Sequence, residues 1–142
     1  MSMDNLIRIF PGLSNSYSKI TSPETSDYNC IAWAAGDNQE WWWPDTDSYW
    51  PPNVPRKESL SAFIAAFETM GYDTCQDGEF QHGFTKIAIF VDHNRIPTHA
   101  ARQSPDGFWT SKCGELEDLD HELNALCGQA YGRVVHYMKK LI

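Results

Sequence analysis

The sequence predicts an α+β domain, and three observations carry that expectation. A short helix opens on Cys30 in "DYNCIAWAAG", a strongly periodic helix follows in "ESLSAFIAAFETMGY", and three strand-like runs come next, "KIAIFVD", "NRIPTHAARQ" and "GFWTSKCG". The three adjacent strands predict an antiparallel meander, and the Cys-bearing helix is expected to pack on that small sheet, with further helices beside it. The 142 residues, 42% hydrophobic and 13% aromatic, suit one domain with a real core.

Taken in chain order, residues 14 to 27, "SNSYSKITSPETSD", are rich in Ser and Thr and read as an exposed connection. Residues 1–27 are therefore expected to form a partly extended lead-in, and residues 28–142 a single α+β domain. In the first helix Ser26 or Asp27 is the expected N-cap, Ile31, Ala34 and Ala35 share a face, and Gly36 is the stop. The stretch "WWWPDTDSYWPPNVP" holds four Trp and four Pro, which exclude regular helix and central strand because proline lacks the amide donor. It is expected to be an aromatic loop covering the core or lining a groove.

Leu60, Phe63, Ile64 and Phe67 fall at helical spacing ahead of Gly71 and predict an amphipathic helix. The strands follow from residue 86, with the turn "SPDG" between the second and third. Leu116, Leu119, Leu123 and Leu126, acidic at the start and followed by Gly128, predict another helix. The tail "YGRVVHYMKKLI" fits helix or strand, and the shared face of Val134, Met138 and Leu141 favours helix. The chain contains no internal repeat.

Charge and composition narrow the function. Eleven basic against nineteen acidic side chains give a net charge of −8, which opposes a nucleic-acid partner held by counterion release. No window approaches the roughly 20 apolar residues of a membrane span, and "MSMDNLIRIF" lacks the order of a signal peptide. A cytoplasmic protein is expected, although an effector exported without such a signal would read the same. Cys30, Cys75, Cys113 and Cys127 stand 45, 38 and 14 residues apart with no C-x-x-C pair, so separate thiols are expected, the last three as packing residues. His82, His93 and His99 have spacings of 11 and 6, which match no helix face, and nothing in the pattern calls for a metal ion or a cofactor. His121 follows Glu117, Asp118 and Asp120 on what reads as a solvated acidic face or a docking surface.

The chemistry centres on Cys30. A cysteine in the first turn of a helix meets unpaired amides that favour the thiolate, which suits a nucleophile. His99 opens a strand between small residues and is the candidate base. The next strand offers Ser111 and Lys112 as groups that orient the imidazole, with Glu115 just beyond, and Gln103 shares the strand face of His99. The amide of Cys30 and the side chain of Asn29 are candidate oxyanion donors. Trp43 and Trp109, with Gln103 and Lys112, are candidate substrate contacts.

The motifs "YNCIAWAAG", "WWWP", "KIAIF", "THAARQ", "GFWTSKCGE" and "AYGRVVHYM", in this order, resemble a family of small, uncharacterised, mostly bacterial domains with an NCIAWA-type opening and a THAARQ-type centre. The resemblance covers roughly residues 28 to 138. At fold level the order of Cys-bearing helix, second helix and His-bearing sheet resembles papain-like enzymes, including the NlpC/P60 and transglutaminase-like groups. The first likeness sets Lys86 where those domains carry the base and His99 where they carry its orienter; the second makes His99 the base and leaves the Asp expected near Ser111 missing. The resemblance implies a cysteine hydrolase or acyltransferase acting on a peptide, isopeptide or amide bond. The alternative is a non-catalytic module on the same scaffold, of accessory or immunity type, whose partner is a peptide or protein.

Overall fold

A computed structural model describes residues 3–15, 17–113 and 116–142. Helices α1 (Met3–Ile9), α2 (Cys30–Ala35) and α3 (Leu60–Glu68) accompany seven strands: β1 (Ser18–Ser22), β2 (Asp73–Cys75), β3 (Phe84–Val91), β4 (Pro97–Gln103), β5 (Trp109–Lys112), β6 (Asp118–His121) and β7 (Arg133–Leu141). Short 3₁₀ turns lie at Pro11–Asn15 and Leu123–Leu126. The strands form one sheet in the order β1-β6-β5-β4-β3-β7-β2, with every neighbouring pair antiparallel. The fold is α+β.

The sheet has an apolar cluster on each side, because successive side chains of a strand point to opposite faces. Ile87, Ile89 and Ala100 face α2 and α3, where Ile31, Phe63, Phe67, Trp42 and Trp50 are buried with them. Ala88, Phe90, Ala101 and Leu119 face the other way, onto Leu6, Phe10, Leu13 and Leu126. The lead-in is thus no loose connection. It contributes a helix, an edge strand and three buried side chains, since the second sheet face needs an apolar cover of its own.

The central helices and strands match the periodicities that predict them. Ser59 caps α3 by accepting from the Ala62 amide, and Gly71, at φ 93°, supplies the left-handed turn after it. The proline-rich segment has no regular structure beyond one bridge between Trp42 and Tyr49, and it packs Trp42 and Trp50 into the α2–α3 cluster.

Two expected helices are strands. In "DLDHELNAL" the Leu spacing of three and four residues suggests a helix, but Asp118–His121 pairs with both β5 and β1, and only Leu123–Leu126 turns. Ladder bonds to two neighbours override the local pattern. The tail forms β7, an inner strand between β3 and β2. Ile89 pairs with His136 and Phe90 with Val134, so Val135 is a bulge residue. That extra residue lets Val134 and Tyr137 both reach the same cluster, while Met138 joins the opposite one and Leu141 is exposed, so the expected shared face of Val134, Met138 and Leu141 does not form.

A candidate thiol and histidine site

Asn29, not Ser26 or Asp27, caps α2. It is extended, and its Oδ1 accepts from the Ala32 amide at 3.1 Å. The same oxygen accepts from the Trp42 amide at 3.1 Å, and Nδ2 donates to the Trp42 carbonyl at 2.7 Å. Asn29 therefore stitches the helix to the aromatic loop. Oδ1 is engaged twice and one Nδ2–H is spent on the Trp42 carbonyl, which leaves the second N–H of this buried side chain for the expected role as oxyanion donor. Gly36, at φ 90°, closes the helix as its sequence position requires.

Cys30 is the first residue of α2 and is only 5% exposed. Burial pushes its thiol up to about 11, against the opposing pull of the backbone amides of Ala100, Ile31 and Cys30 and the charge of Lys112. The sequence predicts a lowered value. Removal from water outweighs the field of a six-residue helix, and the resting sulfur is a neutral thiol.

His99 lies where β4 and β5 part company. Their ladder has two pairs, Arg102 with Thr110 and Gln103 with Trp109, and beyond it side chains bridge the strands. His99 Nε2 stands 3.0 Å from Ser111 Oγ, which stands 2.7 Å from His121 Nε2. His121 Nδ1 in turn lies 2.7 Å from the carbonyl oxygen of Glu122. That carbonyl can only accept, so His121 carries its proton on Nδ1 and accepts from the Ser111 hydroxyl through Nε2. Ser111 Oγ is then free to accept from His99 Nε2–H. In the neutral imidazole that assignment leaves Nδ1 of His99 as a bare lone pair, and it is buried without a hydrogen-bond partner.

Burial, and then the neighbouring His121, hold His99 well below the ordinary imidazole range. Burial lowers His121 to about 4, with the Glu122 carbonyl opposing. The Tyr131 ring stacks on His99 at 4.0 Å between centroids, and Phe90 meets it edge-on at 5.1 Å. Tyr131 is set there by a turn in which Gly132, at φ 81°, leaves no room for a Cβ, whose nearest neighbour would be the Val91 carbonyl oxygen at 2.0 Å.

The fold thus gathers Cys30, His99 and Ser111 around one end of β4. The backbone amide of Ala100, the residue after His99, lies close enough to the Cys30 thiol to pull its pKa down against burial. No hydrogen bond joins Cys30 to His99 among the described residues, because Ala100 faces α2 and the imidazole sits against Phe90 and Tyr131 on the opposite side. The remaining candidates lie elsewhere. Gln103 donates to the Gly78 carbonyl at 3.0 Å and is not aimed at His99. Trp109 is buried in the α1-side cluster, and Trp43 meets Phe63 edge-on. Lys112 is fully buried, donating to the carbonyls of Thr25 at 2.7 Å and Leu116 at 2.6 Å, and so ties β5 to the strand-to-helix connection. Glu115 lies outside the described residues.

A family model described as a domain of unknown function (DUF7689) matches residues 19–139. The chain belongs to that family. The match takes in β2 to β6 whole, nearly all of β1 and most of β7, and Cys30, His99 and Ser111. No curated protein and no solved structure matches the chain. Within this DUF7689 domain, no helix among the described residues is long and apolar enough to cross a membrane.

Sequence reasoning missed His121, Tyr131 and Asp118. The acidic face expected around His121 is buried instead: Glu117, Asp118 and His121 are all inside, and Asp118 Oδ2 accepts from the Tyr28 hydroxyl at 2.6 Å. The alternation in "DLDH" is the signal that could have found them, since as a strand it points His121 and Leu119 to one face and both aspartates to the other.

Proposed function

We propose that the chain is a thiol-dependent hydrolase or acyltransferase of papain-like design, acting on a peptide, isopeptide or other amide bond. What supports this reading is the wiring of His99: Nε2–H is engaged by Ser111, and Nδ1 is bare on the strand whose next residue, Ala100, brings its amide near the Cys30 thiol. That tautomer is the one a general base needs.

In the reaction, substrate docking must first bring the thiol and His99 Nδ1 within hydrogen-bond reach; the thiol proton then passes to Nδ1 as sulfur adds to the carbonyl carbon, and the amide of Cys30 donates to the oxyanion. His99 returns the proton to the departing amine as the C–N bond breaks. Water or an acceptor amine then attacks the thioester and restores the thiol. Thiol and imidazole start neutral, so activation comes from proton transfer during attack and not from a standing ion pair. Cys30 is 5% and His99 0% exposed, so substrate docking must uncover them.

That same cover favours the second reading, a non-catalytic module for a peptide or protein partner, in which the thiol and imidazole only pack. The two are separated by incubating the protein with p-nitrophenyl acetate and mapping acetylated cysteines by mass, with partly exposed Cys75 as internal control. The enzyme reading expects Cys30 to acylate at least about tenfold faster than Cys75, with the excess lost in His99→Gln. Acylation of Cys75 ahead of Cys30 would refute it and leave the module.

A further inference from the structure

A cleft lies at the end of α2 remote from the thiol. Cys30 opens α2, whereas Ala35 and Gly36 at its other end line a cavity of about 760 Å³, within the range of small-molecule sites. Its walls are largely apolar, with Tyr72, Phe80, Phe84 and Ile142 around Arg102 and Lys140. Phe80 and Ile142 are 52% and 80% exposed, so folding leaves apolar surface at the mouth uncovered.

Arg102 gives the cavity its chemistry. It stands half-buried on β4 with its guanidinium 4.7 Å from the centroid of the Trp33 ring; among the described residues that guanidinium has no hydrogen bond and no ion pair, and Asp118, outside the cavity lining, attracts it only from a distance. A guanidinium carries five donors and is costly to shelter from water without an acceptor. Gly36 borders it closely, since a Cβ there would lie in van der Waals contact, 3.6 Å from Nη1. Lys140 is already engaged, donating to the Met70 carbonyl at 3.2 Å and lying over the Tyr72 ring. No Asp or Glu lines the cavity, so in a chain of net charge −8 this recess is locally cationic.

We infer that this cleft binds a small amphipathic monocarboxylate, with Arg102 gripping the carboxylate and Tyr72, Phe80 and Phe84 enclosing an aryl or short alkyl tail. One planar fork suits one carboxylate in bidentate contact, and the apolar walls select against a free phosphate or another fully hydrated anion. The site does not depend on Cys30 chemistry and stands whether or not the thiol is a nucleophile.

The test is a calorimetric titration of the full chain with 4-phenylbutyrate and with its neutral counterpart 4-phenylbutanamide at low salt. A charge-assisted pair predicts that the carboxylate binds at least about tenfold tighter than the amide. Arg102→Gln brings the ratio to about one while leaving the amide affinity in place, and Phe80→Ser, at an exposed position, weakens both ligands together. The wild-type comparison and Phe80→Ser decide the matter even if Arg102→Gln fails to fold. Equal binding of acid and amide, no binding of either up to ~10 mM, or an acid affinity untouched by the folded variants would overturn the inference.

Discussion

The two sides of the sheet are closed by different means. Toward α2 and α3 the seal over β3 and β4 is apolar, with Phe63 and Phe67 fully buried, Trp43 and Trp50 edge-on to Phe63 and Asn29 fastening the aromatic loop to the helix; the buried charges of this side, Lys112 and Asp118, sit apart on β5 and β6 against Tyr28. Toward α1 the sheet carries a line of buried polar groups, His99, Ser111 and His121, inside an otherwise hydrophobic cluster. Burying three polar side chains costs free energy that an apolar filling would not, and the line even ends in an unpaired nitrogen. The first side holds the fold together, and the second departs from what folding alone would select. That departure is why the α1 side draws the chemical interpretation.

Removing packing from the first side should do the most damage. Phe63→Ala is expected to cost about 4 kcal/mol through lost burial and the cavity left under Trp43 and Trp50. Urea unfolding would show it as a lower midpoint, and a loss under about 1 kcal/mol would mean that this side is not the rigid one.

The polar side should announce itself through pH. Because burial holds both imidazoles below their ordinary value of 6.5, with His121 at about 4, the unfolded chain binds more protons than the folded one between those values. Their neutral folded forms therefore carry full stability above about pH 6.5, and it drains away as pH falls toward 4, by about 3 kcal/mol from His121. Subtracting the profile of His121→Asn from that of the wild type isolates this contribution from the carboxylates. Parallel profiles would show that His121 is not held neutral.

Asn29→Ala removes a cap and two bonds to the Trp42 backbone, for an expected loss of about 2–3 kcal/mol. The loosened loop should also raise amide exchange at Trp42 and Trp43. Smallest is Ser111→Ala, which strands His99 Nε2–H and the His121 lone pair at a cost of about 1–2 kcal/mol. The comparison sharpens if Ser111→Ala/His121→Phe is no less stable than Ser111→Ala, because the second change removes one stranded group. Strict additivity of the two single losses would argue against a connected network.

The elements that could be read from sequence are those whose local pattern and final environment agree. α3 has an apolar face at helical spacing and meets a sheet, and β3 is a run of six buried residues inside one. The failures share a cause. "DLDHELNAL" and "RVVHYMKKL" have apolar spacings of three or four residues that suit a helix, but one is divided between a strand and a 3₁₀ turn and the other contains a bulge. Of the site, His99 and Ser111 were legible as candidates and are hydrogen-bonded to each other, Cys30 was legible and lies near the amide after His99, and Asn29, Gln103 and Lys112 turn polar atoms to backbone carbonyls and amides. A sequence shows that a side chain can donate, not which orphaned carbonyl will claim it.

By itself the sequence determined the α+β class, the placement of Cys30 at a helix start, the Gly36 stop and the order of β3, β4 and β5, because caps, glycines and periodic apolar residues act over a few positions. Only the tertiary structure decided that the thiol is pushed up to about 11, that His99 is wired to Ser111 and His121, and that Arg102 faces an apolar cleft unpaired. Those properties depend on desolvation and on contacts between residues distant in the chain, and neither exists until the sheet has closed.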